Sequence, residues 1–346
     1  MTRSFAILSV AILGCAVGVR AQGVPLPPDP HELATGHVQV PSTPSERAAA
    51  LSLLERAKQN AEVHAPGGSP FNIRISFNST GAGNTFSGPG SMTELWFSGR
   101  QWRYDQNLAS YSETRLSSQG RIVAKATDSL PLHVSMLRAA MFAPIGGNPS
   151  NSLLRIAPAQ WEGRAVSCFL LSGNTDRAAA GRQWDETEYC VDNASGLLQI
   201  FSRAPGTYVV YGYKENLQFH GRQVPDQVTI FVSGSSVLDA KVAIEDANPA
   251  DAKLTAATGE MAPTPVNDMN VRFPMPAKSP LAGSFIKPVI VNAVIDKQGK
   301  VVEAEVGAAS DPALASPALD MVRSANFGPS GTWRQAYINV QFSGTH

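Results

Sequence analysis

The stretch Phe71-Asn72-Ile73-Arg74-Ile75-Ser76-Phe77-Asn78 sets an apolar side chain at every second position and a polar one between. A period of two is the signature of a β-strand with one face buried and the other wet. Thr93 to Phe97 and Gln101 to Asp105 read as two more strands, turning over Ser98-Gly99-Arg100. Later strands are read over 164–172, 184–192, 197–203, 207–219 and 227–233. On the N-terminal side, Thr43 with Glu46 three residues on forms a capping box, and Pro44 takes the first helical position. Leu51, Leu54, Ala57 and Ala61 follow on one face, so the spacing predicts an amphipathic helix over 44–64. Ser129-Leu130-Pro131 opens a second helix through Phe142. The economical reading is an α+β fold, a large antiparallel sheet with its helices on one face.

From 247 to 284 the chain is rich in Ala, Pro, Asp and Thr without a sustained period, which predicts a linker. A small unit follows over 285–346. Pro288 to Ile295 and Val301 to Val306 flank a Gly-containing hairpin loop, a helix starts at Ser316-Pro317, and Gln335 to Phe342 supplies a last strand. The order is β-β-α-β. In the last strand Ala336, Ile338, Val340 and Phe342 alternate with Gln335, Tyr337, Asn339 and Gln341. The second set is expected to face solvent, at a sheet edge where a partner strand can add or in a central strand where it cannot.

The 346 residues are 43% hydrophobic and 16% charged, with 28 basic against 28 acidic side chains. A net charge of zero removes the electrostatic attraction on which non-specific nucleic-acid binding depends, so no nucleic-acid partner is expected. Arg3 precedes the apolar run Phe5 to Val19, and Val19-Arg20-Ala21 has the small-residue pattern of a cleavage site. Residues 1–21 therefore read as a secretory signal, and 22–43, with its prolines, as an extended tether. Retention of the signal as an anchor, or lipidation of Cys15, are the alternatives. In an exported chain the remaining cysteines, Cys168 and Cys190, form either a disulfide across the 174–182 loop or two buried thiols.

No catalytic motif stands out. The six histidines lack metal-ligand spacing, no nucleophile elbow or phosphate-binding loop is present, and no cofactor is expected. Glu186 and Glu188 lie two apart and read as an exposed strand face. Trp96 and Trp102 on one hairpin, and Tyr208 and Tyr211 on a later strand, either line a concave apolar cavity or pack as core beneath the helices.

Over about 285–342 the chain resembles the C-terminal domain of TonB-family energy transducers. The resemblance is carried by Val291-Asn292-Ala293-Val294-Ile295-Asp296-Lys297-Gln298-Gly299-Lys300-Val301, by the helix 317–325, and by Phe327-Gly328-Pro329, Gly331 and Ile338-Asn339-Val340-Gln341-Phe342. Over 44–246 it resembles the LolA/LolB-like lipoprotein-carrier superfamily of half-barrels. There the carrying residues are Trp161-Glu162-Gly163-Arg164, Glu188-Tyr189-Cys190-Val191-Asp192, Gly196-Leu197-Leu198 and Gly221-Arg222-Gln223-Val224-Pro225-Asp226. These resemblances imply an unusually curved sheet and a non-enzymatic envelope protein. Its half-barrel would hold an apolar ligand, a lipid or a lipoprotein segment, and its last domain would capture an envelope protein by strand addition. The alternatives are a TonB-type energy transducer and a purely structural adaptor.

Overall fold

The computed structural model describes residues 24–64, 68–82, 86–126, 130–146, 152–172, 180–256, 269–277 and 285–344. The stretch read as a signal, with Cys15, most of the 174–182 loop and most of the stretch from 257 to 284 lie outside the described residues. Helix α1 spans Pro44–Ala61, and both halves of its capping box form, between Thr43 and Glu46. Helix α2 spans Leu132–Phe142 and α3 spans Ala315–Ser324. The large sheet is built from β1 (Phe71–Ser79), β2 (Gly88–Ser98), β3 (Gln101–Leu108), β4 (Tyr111–Ser118), β5 (Arg121–Ala126), β6 (Leu153–Trp161), β7 (Arg164–Ser172), β8 (Thr187–Asp192), β9 (Leu198–Ala204), β10 (Thr207–Gly212), β13 (Gln227–Val232) and β14 (Ser235–Asp246). A short ribbon, β11 (Gln218–Phe219) with β12 (Arg222–Gln223), stands apart from it. The twelve strands run in the order β5-β4-β3-β2-β1-β14-β13-β10-β9-β8-β7-β6, with antiparallel neighbours throughout.

The sheet curls around α2. Arg138 lies 4.7 Å over the ring of Tyr104 on β3, while the Tyr211 hydroxyl on β10 donates to the carbonyl of Ala140. Those strands are five neighbours apart, about 24 Å in a flat sheet, whereas residues 138 and 140 differ by about 3 Å along the helix. Only a curved sheet brings both strands to one helical turn. The helices and this face share the main core, with Leu54, Phe71, Ile73, Met92, Leu137, Val228 and Ile230 all buried.

The opposite face carries the N-terminal segment. Residues 24–42, expected as a tether, are a packed strap: Ala34 is fully buried, His31 stacks on Phe231 at 3.9 Å, and Gln39 bridges to Ile156. Glu32 accepts from Arg182 and from Tyr208, both buried. Cys168 and Cys190, exact cross-strand partners on β7 and β8, are disulfide-bonded with 3.9 Å between Cα atoms. Closing that loop contributes on the order of 3 kcal/mol in the chain-entropy account. Glu186 and Glu188 correct their sequence reading: both are fully buried rather than exposed, Glu186 on Arg155 and Glu188 on Arg182. Burial, with Glu32 close by, pushes the Glu188 carboxyl well above its ordinary range.

The second sheet has the order β15-β18-β16-β17, from β15 (Met269–Ala277), β16 (Phe285–Ile295), β17 (Val301–Ala309) and β18 (Arg334–Gly344). The part of 247–284 that is described is not simple linker. Pro249–Thr255 forms a 3₁₀ turn whose Thr255 hydroxyl and Ala252 carbonyl accept from Gln101, and β15 pairs in parallel with β18. One face of the small sheet packs on α3 through Val291, Ala293, Ile338, Val340, Ala318 and Val322.

The other face packs on the large sheet, which removes the uncoupling expected of a linker. Glu303 accepts from the Leu132 backbone N–H at 2.7 Å, capping α2 from outside its own chain segment. His133 lies 3.0 Å from both oxygens of Glu305 and 3.2 Å from the Ser79 hydroxyl. Ser135 donates to Gln335, and Asn292 donates to Thr207. At the far end Gly206, with φ of +78°, runs so close to Gly307 that a Cβ there would lie 2.0 Å from its carbonyl oxygen. Glycine is required by that approach as much as by the turn.

Burial holds the Glu303 carboxyl above its usual value, against the lowering effect of the Leu132 N–H. Its second oxygen is buried with no hydrogen-bond partner among the described residues. A carboxyl raised in the folded state binds its proton more tightly folded than unfolded, so it adds stability as pH falls through the folded value. Glu303→Gln keeps an acceptor for Leu132 and removes the buried charge. At about pH 7 its melting temperature should equal or exceed that of the parent, with the gap closing on acidification. Glu303→Ala, which loses the cap, should cost about 1 kcal/mol. His133 and Glu305 are common to all three proteins, so parallel melts isolate Glu303; a Gln advantage that grows on acidification contradicts the assignment.

Candidate functional site

A cleft of about 270 Å³ lies beside α2 on the helix-bearing face, lined by His64, Glu94, Trp96, Gly99, Trp102, Tyr104, Arg138 and Phe142. Each element supplies its share by period. On β2 the inward positions are Met92, Glu94 and Trp96, and on β3 the register sets Tyr104 opposite Glu94 and Trp102 opposite Trp96. His64 follows α1, and Arg138 and Phe142 lie one turn apart on α2.

Aromatic packing fixes the walls. Trp96 stacks on Phe71 at 5.4 Å, and His64 stacks on Phe142 at 5.2 Å. Phe142 meets Tyr104 edge-on at 6.3 Å. His64 Nε2 lies 2.9 Å from Glu94 Oε1, which orients the carboxylate. Behind the cleft runs a buried polar network across β3 and β4. Tyr104 donates to Gln106, Gln106 donates to Tyr111 and Glu113 at 2.7 Å each, and Arg115 donates to Glu113. Burial pushes the Tyr104 and Tyr111 phenols far above their usual value, so both rings stay neutral. Such a network rigidifies the wall it supports. The cleft thus offers flat apolar surfaces with an acceptor, a donor and an imidazole held in place.

The four aromatic residues singled out from sequence are not one site. Trp96 and Trp102 meet at the cleft, but Tyr208 lies on the opposite face among the strap residues, and Tyr211 is core beneath α2. Tyr208 and Tyr211 are three apart on one strand, and odd spacing points side chains to opposite faces. His64, Glu94 and Arg138 were not singled out. Their signal is there, however: Glu94 interrupts the apolar run of inward positions on β2, and Arg138 stands among Met136, Leu137, Ala140 and Met141 on α2.

The expected partner strand is also corrected. Gln335 and Tyr337 are buried, 1% and 7% exposed, because their face meets α2 and β9 rather than solvent. Asn339 and Gln341 lie on the same interior strand, β18, whose two sides are taken by β15 and β16. Strand addition at Gln335, Tyr337, Asn339 and Gln341 has no open edge in this arrangement. Cys168, Glu188 and Cys190 form the one acid–thiol cluster with metal-like spacing among the described residues, but their sulfurs are bonded to each other.

No protein-family model matches the chain, and no curated protein does. Among solved structures it is similar in fold to a LolA-superfamily protein from Nitrosomonas europaea, at 12% identity and a TM-score of 0.35, over 57% of this chain and 91% of that one. A putative outer membrane lipoprotein-sorting protein domain from Vibrio parahaemolyticus is 8% identical with a TM-score of 0.35, over 58% of this chain and 96% of that one. The resemblance of the C-terminal unit to TonB-family domains finds no counterpart in these comparisons.

Proposed function

We propose that this chain is a non-enzymatic binding protein of the bacterial cell envelope, holding a small, partly apolar ligand in the cleft beside α2. The observation that carries the reading is the pairing of Trp96 with Trp102 across β2 and β3, facing Phe142 on α2, with fixed polar groups between. At about 270 Å³ the cleft lies near the lower end of small-molecule sites, which run from roughly 300 to 1,000 Å³. A single ring or a short chain suits that volume better than an acylated peptide. Export is supported by the signal-like first 21 residues and by the disulfide, which belongs to an oxidising compartment. The small sheet serves in this reading as a brace on α2, because its polar face is used within the molecule.

The test is a titration of the full mature chain with N-phenyl-1-naphthylamine, an environment-sensitive apolar ring compound. Saturable fluorescence enhancement is expected, weakened at least fivefold by Trp102→Ala with an unchanged circular dichroism spectrum. Equal binding by the variant, or failure of both this probe and neutral sugars to saturate, would remove the cleft as the ligand site.

A further inference from the structure

Resting on that ligand-cleft reading, we propose that the natural ligand is a neutral sugar ring. Three observations converge on this class. The first is the wall. Trp102 is half-buried at the mouth, next to the open Gly99, whereas Trp96 is 7% exposed and already stacked on Phe71. The arrangement gives an incoming ring one accessible flat aromatic surface, opposite a second tryptophan fixed by its own stacking, which suits the C–H face of a pyranose.

The second is the order of polar groups. Glu94 offers an acceptor, Arg138 only donors, and His64 either according to its tautomer. Hydroxyl groups both donate and accept, so neighbouring hydroxyls on one ring edge can meet a carboxylate and a guanidinium together. An alkyl chain cannot. It would set methylenes against Glu94 and Arg138 and offer neither a hydrogen bond.

The third is charge. Within the lining the Glu94 carboxylate and the Arg138 guanidinium cancel, so neither an anion nor a cation gains a net attraction. A quaternary ammonium drawn to the Trp102 face would share the cleft with the Arg138 guanidinium, a like charge that already covers the Tyr104 ring at 4.7 Å. An anion drawn to Arg138 would meet Glu94, which its register sets directly opposite Tyr104. A neutral polyhydroxylated ring is the ligand class that uses every group present and opposes none.

The experiment is a fluorescence and calorimetric titration of the full mature chain with cellobiose, maltose and N,N′-diacetylchitobiose, beside decanoate and choline. At least one disaccharide is expected to saturate near or below about 1 mM, shifting tryptophan emission to the blue. Trp102→Ala and Glu94→Gln should each weaken it at least tenfold, while Trp102→Phe, which keeps a flat ring, should retain most of the affinity. If no disaccharide saturates up to about 50 mM but N-phenyl-1-naphthylamine still binds in a Trp102-dependent way, the sugar assignment falls and the cleft remains a ligand site. Saturation by decanoate or choline alone, lost in Trp102→Ala, likewise overturns the sugar class. If nothing binds at all, both readings fall together.

Discussion

Asn339→Pro should unfold the small sheet and loosen the large one with it. In β18 Asn339 is opposite Ile290 on one side and Pro274 on the other, so its N–H points at one neighbour or the other. Proline removes that donor wherever it goes, and the ring has no solvent side to occupy in an interior strand. The cost is about 3 kcal/mol or more. For domains of roughly 150–250 residues this lowers the melting temperature by about 6–12 °C. The effect should spread because the same sheet supplies Glu303 to the first turn of α2 and Gln335 to Ser135. Thermal melts in far- and near-ultraviolet circular dichroism are the measurement, with Asn339→Ala as the control that keeps the N–H. A parent-like melting temperature for the proline variant would mean that one side of β18 is open in solution, which restores strand addition by a partner.

The outcome bears on what a local pattern can report. The alternation in β1 and the Thr43–Glu46 capping box were legible because each is satisfied by residues nearby in sequence. The β-β-α-β order at the C-terminus was legible for the same reason. Which face of β18 meets what was not, because α2 lies 200 residues away and the polar look of Gln335 and Tyr337 comes from bonds made to it and to each other. Strand β4 escaped notice for a related reason. Its inward positions include Glu113 and Arg115, members of the buried network behind the cleft, so the apolar period that marks a strand is broken there. β14 carries Leu238, Ala240 and Val242 inward against Asp239 and Lys241, an alternation of the same kind as that of β1. The prolines of 24–42 mark a segment outside the named helices and strands, while the cover it gives to Tyr208 and Cys190 depends on pairings that no local window contains.

Arg155→Met should be among the most damaging single substitutions in the large sheet. Arg155 on β6 is 1% exposed and grips Glu186 with two parallel hydrogen bonds, Nε to Oε1 at 2.8 Å and Nη2 to Oε2 at 2.7 Å. The same Nη2 donates to the Gly181 carbonyl at 2.7 Å, tying the end of the 174–182 loop to the edge strand. Methionine fills much of the volume but leaves the Glu186 carboxylate, itself fully buried, without its cation. Among the described residues the Gln183 N–H, at 2.7 Å, then remains as its donor. Removing one member of a buried pair typically costs about 3–5 kcal/mol, most of it from the stranded charge rather than from the lost attraction. Two consequences separate this account from a simple packing defect. Arg155→Met with Glu186→Leu should recover most of the loss, because a well-packed apolar replacement of both partners is close to neutral. The deficit of the single variant should also shrink on acidification, since an orphaned buried carboxyl takes up a proton in the folded state and folding gains from it as pH falls. Urea unfolding of the single and double variants at about pH 7 and pH 5 reads both effects. A double variant as unstable as the single one would place the cost in packing and in the Gly181 contact instead of in the charge.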